Sequence, residues 1–308
     1  MQQKLFFNSS KIIVPQMTAI FDFIWPTAAA MWNLRWQVKG LVGENPGIGH
    51  DALLGRFVAG SDIRGVNLKK SCLENSWEQQ KEQFAKIMLS EFCALYEAWY
   101  ASLNEELSNL LSSSNLKDYE FPKILVRLGA LPDSAPLSST VYPSLAENKK
   151  YNLSALPEML TTYRYFKGMR NGYIHNGGVA NEKLFEAYNL FSVISAADLG
   201  VVELPEHPEI SVGKPYHVTL RGVVGFGDVM LRLITTLDAE FAKKEVAEPV
   251  FVKKWKGVIL GSHTMPGNDD DADRYIKRLV GKLNLKAPAT GLPLRGFLKK
   301  NKLINDFQ

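Results

Sequence analysis

The sequence predicts an all-α protein, and three observations lead to that fold class. Apolar residues recur at steps of three and four in several long segments, which is the period of an amphipathic helix. Strand signals are sparse, with the apolar run at residues 250–252 as the best candidate. The chain shows no repeat of the length that solenoids use. We therefore expect a bundle of four main helices between about residues 76 and 245.

The first 75 residues are predicted to be a helical extension of this bundle. Residues 16–39 mix aromatic with small apolar side chains and predict a helix, which Pro26 is expected to interrupt. Asp22 and Pro26 also break the most apolar window, residues 17–34. This favours a buried helix or two over a membrane span.

The central bundle is expected to contain one long helix and three shorter ones. The long helix begins at Ser76, where Gln79 three residues on forms a capping box, and the Ser-rich residues 112–115 are expected to end it. A Pro- and Ser-rich connection over residues 116–150 is expected to carry one short helix near residues 123–128. The other three main helices are predicted at residues 154–170, 181–199 and 223–244, with an irregular Pro-rich segment at residues 201–217.

Residues 246–308 are predicted to be a small basic subdomain. The whole chain carries a formal net charge of +4, whereas residues 251–308 hold 12 Lys/Arg against 5 Asp/Glu, a net of +7, which leaves −3 (4 − 7) for the rest. A basic stripe of this kind can follow a phosphate backbone, although it also fits an ordinary solvated face. The candidate RNA-binding residues are Lys253, Lys254, Lys256, Lys277, Arg278, Lys299, Lys300 and Lys302.

No metal or cofactor is expected. Cys72 and Cys93 lack the spacing of a disulfide framework or a thiolate zinc site. The Asp-rich residues 268–273 lack the Gly and Glu of an EF-hand and are expected to start a helix at 274–283 instead. The glycine cluster at residues 222–227 lacks the Lys-Ser/Thr of a P-loop. Reduced cysteines and the lack of a secretory signal predict a soluble, cytoplasmic protein without a membrane partner.

Arg170, Asn171 and His175 form the most informative motif in the chain. They lie at the end of a predicted bundle helix, just before the Asn-Gly-Gly of residues 176–178. Histidine can accept or donate a proton near neutral pH, and a guanidinium offers a fixed planar set of donors to phosphate oxygens. These groups suit metal-free cleavage of RNA, in which the 2′-OH attacks the adjacent phosphate and leaves a 2′,3′-cyclic phosphate. The same residues also fit an ordinary helix end, where Asn and Gly tolerate left-handed backbone.

At this motif the sequence resembles the HEPN superfamily of helical-bundle ribonucleases. The signature of that superfamily is an Arg that is usually followed by a polar residue, and then a His, with four to six residues in all between the Arg and the His. The resemblance covers roughly residues 76–245 and implies a HEPN-like bundle that acts as a homodimer on an RNA substrate. It also implies a role as a toxin or anti-phage defence effector, controlled by an antitoxin or another partner protein.

By this resemblance, the three motif residues are the catalytic candidates. His175 would be the acid or base, Arg170 the phosphate clamp and Asn171 the orienting residue. Some members of the superfamily also carry a useful acid on the preceding long helix, where Glu91 and Glu97 are both candidates. One branch of the superfamily has Tyr two residues after the His, and Gly at that position here argues against membership of that branch.

Helix geometry adds a prediction of its own. Arg170 and His175, five residues apart on one helix, would point about 140° away from each other. They can share one cleft only if the helix breaks at Gly172 or if a second protomer completes the site, so we expect an obligate homodimer. The alternative is a non-catalytic helical module that binds a protein or nucleotide partner, with both side chains structural. A third hypothesis is a regulator that binds nucleic acid through the basic C-terminal residues alone.

Overall fold

The computed structural model describes residues 4–108, 123–261 and 263–305. The chain is 68% helical and has no sheet in the described part, so the predicted all-α class is confirmed. The thirteen α-helices within the described residues are α1 (Asn8–Glu44), α2 (His50–Phe57), α3 (Trp77–Glu106), α4 (Lys123–Ala130), α5 (Ala135–Ser139), α6 (Val141–Ala146), α7 (Leu156–Asn176), α8 (Glu182–Phe191), α9 (Ala196–Leu199), α10 (Leu220–Ala242), α11 (Glu248–Val258), α12 (Asp269–Lys282) and α13 (Pro293–Lys300).

Helix α1 is continuous through both Pro15 and Pro26, so the predicted interruption at Pro26 is wrong. Both prolines lie on the exposed side of the helix. Water can therefore bond the carbonyl groups that a proline leaves without an N–H partner. Among the described residues, α1 is the one helix long and apolar enough to cross a membrane, and 28% of its most apolar window is buried inside the protein.

The core is built around α3, α7 and α10. Helix α3 begins at Ser76 with the predicted capping box, in which Ser76 and Gln79 bond each other's backbone N–H groups. Stacked aromatic rings join the central helices, with the Phe166 ring of α7 centred 4.6 Å from that of Phe226 on α10. The same continuous core includes side chains from both ends of the chain, namely Phe6, Phe7, Trp255, Ile276 and Leu279. It therefore continues across the segment boundaries predicted near residues 75 and 245.

A buried carboxylate ties the N-terminal residues to this core. Asp238 on α10 accepts the backbone N–H groups of Phe6 (2.6 Å) and Phe7 (3.0 Å). Burial raises the pKa of Asp238 to about 6, against the opposing effect of those hydrogen bonds. On α3, the Trp99 indole N–H donates to Ser10 Oγ at 2.8 Å. The start of the chain is thus an integral layer of the fold.

The outer half of α1 leaves this core. It packs against a short π-helix (Lys70–Glu74) and forms a second, smaller cluster. The buried residues of that cluster are Val38, Leu53, Leu68 and Cys72.

Several predicted helix bounds need correction. The segment predicted as one helix at residues 181–199 is two helices, α8 and α9, with Ser195 capping the second. The strand candidate at residues 250–252 lies inside α11, which Pro249 starts as a first-turn residue. Residues 112–115, expected to end the long helix, lie outside the described residues.

Other predicted features are confirmed. The short helix expected near residues 123–128 is α4, but the connection also carries α5 and α6, which were not predicted. Asn268 caps α12, which begins at Asp269 and not at the predicted residue 274, so the aspartates that were expected to precede the helix occupy its first turn, where they face the positive end of the helix dipole. Residues 201–217 contain no helix or strand, apart from an isolated bridge between Val179 and Pro215.

Candidate active site

The motif occupies the last turns of α7, which does not break at Gly172. The helix runs to Asn176 and ends at Gly177, whose backbone is left-handed (φ 60°). Gly178 follows with φ 80°, and the N–H groups of both glycines bond the Gly172 carbonyl. Glycine adopts these angles without the penalty that a Cβ atom brings. The chain therefore reverses directly after His175.

This reversal brings α8 back alongside α7. Asn181 caps α8 by accepting the Leu184 N–H at 3.0 Å. Leu184 then packs over Gly168, where an added Cβ would lie 3.1 Å from Leu184 Cδ1. The close approach leaves an open groove of about 440 Å³ between the two helices. Its polar lining includes Arg164, Lys167, Asn171, His175, Lys183 and Glu186.

Two of the three predicted catalytic residues share this groove. Asn171 is half-buried and His175, one turn later, is exposed. Residues four apart lie on nearly the same side of an α-helix, which explains why both side chains face α8. The structure therefore places the imidazole and the amide on one surface.

Arg170 lies on a different side of α7. It is half-buried and is not among the residues that line the groove. Its Nη1 donates to Asn171 Oδ1 at 2.9 Å, so the guanidinium reaches the groove only through that amide. Within one chain, the side chains of Arg170 and His175 therefore point to different sides of α7, as helix geometry predicts.

The surroundings of Arg170 are those of a packed interface. Its Nε is buried and has no hydrogen-bond partner among the described residues. The side chain lies near Cys93 of α3, where burial raises the pKa of the thiol to about 12 against the opposing charge of Arg170. These contacts suit a structural role at least as well as phosphate binding.

Sequence reasoning missed the cations of the groove. Arg164, Lys167 and Lys183 line it together with His175, although none of the three belongs to the motif. The signal was present, because Arg164, Lys167 and Asn171 follow one another at steps of three and four along α7. The chain reversal that adds Lys183 from α8 was not visible in that spacing.

The structure also distinguishes the two acidic candidates on α3. Glu97 Oε1 lies 3.3 Å from Lys167 Nζ, and Lys167 lines the groove. Glu91 is exposed to solvent. Of the two acids that the sequence left open, Glu97 is the one with a connection to the groove.

The opposite face of the motif is tightly packed. Tyr216 Oη donates to the Met169 carbonyl at 2.7 Å, and a Cβ atom on Gly172 would collide with that hydroxyl. Tyr173 Oη donates to the Tyr216 carbonyl at 2.7 Å. The Lys86 ammonium lies 4.4 Å from the centre of the Tyr173 ring. Gly172 is thus required for close packing rather than for a break in the helix.

An ion-paired cluster borders this packed face. Glu82 Oε1 lies 3.0 Å from Lys86 Nζ, and its Oε2 lies 3.1 Å from Nδ1 of the exposed His217. Burial pushes the pKa of Glu82 up, but the hydrogen bonds from Lys86 and His217 outweigh it and lower the pKa. His217 and Glu82 are therefore paired with each other on the side of α7 away from the groove.

The predicted RNA-binding residues are spread over the C-terminal helices. Lys253, Lys254 and Lys256 lie on α11, Lys277 and Arg278 on α12, and Lys299, Lys300 and Lys302 at the end of α13 or just after it. Lys254 donates to Asn8 Oδ1, and burial lowers its pKa to about 8. Lys277 Nζ lies 2.6 Å from Asp273 Oδ2. These two cations are therefore already engaged by neighbouring side chains of the same chain.

Acidic side chains accompany some of the remaining cations. Lys253 and Lys256 line an open groove of about 630 Å³ together with Glu245 and Glu248. Such mixed charge attracts a phosphate backbone less than a purely basic surface would. RNA binding by the C-terminal residues stays a prediction.

Within the described residues, no group of three or more His, Cys, Asp or Glu side chains is placed to hold a metal ion. Comparison with known proteins adds no relative, because no protein-family model matches the sequence and neither a curated protein nor a solved structure matches it. The HEPN assignment therefore remains a resemblance carried by the motif.

Proposed function

We propose that the protein is a metal-independent RNA endonuclease of the HEPN type that acts in the groove between α7 and α8. One observation carries the proposal: the groove combines the exposed imidazole of His175 with the cations Arg164 and Lys183. A third cation of the lining, Lys167, is paired with Glu97, and Glu186 adds one opposing charge. Cations of this kind attract the phosphates of RNA, and an imidazole can transfer protons at neutral pH.

Asn171 is the group we assign to hold the phosphate. Its carbonyl oxygen accepts the Arg170 guanidinium, so its NH₂ group is left to donate toward the groove. A phosphate oxygen is an acceptor and suits that NH₂ group. In this arrangement Arg170 orients the amide that binds the substrate, and Arg164 adds charge from the same wall.

The reaction needs two proton transfers. A base removes the proton of the 2′-OH as that oxygen bonds to the adjacent phosphorus, and an acid protonates the 5′-oxygen as its bond to phosphorus breaks. A single His175 supplies one of these at a time. A homodimer that joins two grooves supplies both, with His175 of one protomer as base and that of its partner as acid.

The cellular role proposed here rests on the resemblance. A cytoplasmic endonuclease without a metal requirement would act as a toxin or as a defence effector against phage. Such an enzyme needs control, which an antitoxin or another partner protein would supply.

The test is cleavage of total RNA by the purified full-length chain in EDTA. We expect wild type to cleave, and His175→Ala to lose about 100-fold or more of the rate. His50→Ala is the matched control, because His50 is also exposed but lies on α2, away from the groove. Equal rates for wild type and His175→Ala, or cleavage that requires a divalent metal, would contradict the proposal.

One observation favours the non-catalytic alternative, a helical module that binds a protein or nucleotide. Arg170 is packed between α3 and α7 with its Nε buried, as a purely structural residue would be. Overexpression separates the two functions. An endonuclease should arrest growth in the wild-type form and not as His175→Ala, whereas a binding module should be equally harmless in both forms.

A further inference from the structure

The outer half of α1 carries a stripe of exposed apolar residues. Trp25, Trp32 and Trp36 are 50%, 40% and 55% exposed, and Ala29 between them is also exposed. Their spacing of four, three and four residues is that of the a and d positions in a two-helix coiled coil. At about 100° per residue, all four lie within an arc of about 60° on one side of the helix.

Opposite charges mark the two ends of this stripe. Asp22 lies three residues before Trp25 and Lys39 three residues after Trp36, so both continue the same spacing. Between them the sequence has one other charged residue, Arg35. Arg35 is turned inward, and its Nη1 donates to three oxygens of residues 71, 75 and 80, each at 2.9 Å. The stripe is therefore apolar along its length, acidic at one end and basic at the other. It borders the start of α3, where the Trp32 ring is centred 5.2 Å from that of Trp77 and Trp25 lines a groove with Glu78 and Lys81.

We propose that a second copy of this chain covers the stripe, with the two α1 helices antiparallel. The spacing is symmetric about the midpoint between Ala29 and Trp32, so one register matches every position. Asp22 then faces Lys39 of the second copy, Trp25 faces Trp36, and Ala29 faces Trp32. In an antiparallel coiled coil each a residue meets a d residue of its partner, as these pairs do.

The charges of Asp22 and Lys39 and the size of the residue that faces Trp32 both favour the antiparallel pair over a parallel one. In a parallel pair, Asp22 would face its own copy and Lys39 would do the same, which places like charges opposite each other. Trp32 would also meet a second Trp32, whereas the antiparallel register gives it the small Ala29. The antiparallel pair thus removes two repulsions and gives one of the three tryptophans, Trp32, a small residue to pack on, while Trp25 packs on Trp36 of the second copy.

This surface is separate from the proposed active site. No α1 residue lines the groove between α7 and α8. The inference therefore does not depend on the proposed function, and a chain without nuclease activity should still pair through α1. The two proposals describe one dimer if the α1 pair also brings the two grooves together, and a larger assembly if it does not.

The first test is the oligomeric state of the full-length chain by sedimentation equilibrium. Wild type should be a dimer, and Ala29→Glu should raise the dimer dissociation constant by about tenfold or more, because it places a charge in the apolar seam. Ala30→Glu is the matched control, since Ala30 is equally exposed on the same helix but points about 100° away. It should dimerise like wild type.

The second test reads the register from charge reversals. Asp22→Lys and Lys39→Asp should each weaken the dimer by about three- to tenfold, because each places like charges together twice in the symmetric pair. The double reversal should restore the wild-type dissociation constant. A parallel pair keeps like charges opposite each other in all four forms, so neither single reversal would weaken it, and an unrelated interface would show no such loss and recovery.

Three outcomes would overturn this proposal. The first is a wild-type monomer throughout the micromolar range. The second is a double reversal no tighter than the single ones. The third is a soluble monomer that binds phosphatidylcholine–phosphatidylglycerol vesicles and loses that binding in Ala29→Glu, since the stripe would then be a membrane surface.

Discussion

The last turns of α7 have two faces, of which one is open and polar and the other is closely packed. Toward α8, Asn171 and His175 line an open groove with several cations. Toward α3 and the segment before α10, Gly172 and Tyr173 are locked against Tyr216 by hydrogen bonds and close contact. Five consecutive residues thus supply both the open polar surface and the packing that holds it.

The difference between the two faces shows how a helix that is packed on one side can present polar side chains to solvent on the other. The packed face fixes the helix axis, so the side chains of the open face need no support from a flexible loop. Arg170 joins the two faces, because it is buried beside Cys93 and yet donates to Asn171. Substitutions on the packed face should therefore affect stability first, and substitutions on the open face should affect chemistry first.

Gly172→Ala should have the largest effect on stability. The new Cβ would collide with Tyr216 Oη and displace its hydrogen bond to Met169, at a cost of roughly 2 kcal/mol in the free energy of unfolding. Urea denaturation followed by circular dichroism measures this change.

Gly168→Ala is the control for Gly172→Ala. Its Cβ would meet only the flexible end of Leu184, and alanine favours a helix over glycine by about 1 kcal/mol, so we expect little loss or a gain. If both variants were equally stable, the packed face would not hold α7 as we describe.

Tyr173→Phe should have an intermediate effect. It removes the hydroxyl that donates to the Tyr216 carbonyl, a partly buried hydrogen bond worth about 1 kcal/mol. RNA cleavage should be retained, since Tyr173 faces away from the groove. A variant that is fully stable but inactive would instead place Tyr173 in the chemistry and remove the distinction between the two faces.

The smallest expected effect is on RNA affinity, when a single cation of the groove is replaced. Lys183→Gln should weaken RNA binding and lower the slope of log affinity against log salt by about one, as the loss of one phosphate contact does. Lys254→Gln should leave that slope unchanged, because Lys254 is bound to Asn8. The opposite pattern in a salt titration would assign RNA binding to the C-terminal residues.

Local signals predicted much of the fold. The capping box at Ser76 and the periodicity that follows it are properties of one segment, so the sequence located α3 correctly. The aspartates in the first turn of α12 act through the helix dipole over a single turn, so the sequence revealed that a helix starts there, although not at which residue. Pro26 misled the prediction because the cost of a proline depends on whether water reaches the carbonyl four residues earlier, which is a tertiary property.

The site was only partly predictable for a related reason. Helix geometry gave the angle between Arg170 and His175 directly. The groove itself depends on the reversal at Gly177 and on the close packing of Leu184 on Gly168, both of which arise between helices. The count of basic residues led us to predict that Lys254 binds RNA. Its burial beside the N-terminal segment arises from tertiary packing, which no local sequence pattern reveals.

The central claim is that RNA is cleaved in this groove by attack of its own 2′-OH. The most direct measurement uses an RNA that the wild-type chain cuts, remade with a single 2′-deoxy nucleotide on the 5′ side of the cleaved bond. We expect the unmodified RNA to yield a 2′,3′-cyclic phosphate and a 5′-OH end, and the modified position to resist cleavage. Cleavage at the deoxy position, or products with 5′-phosphate ends, would contradict the claim.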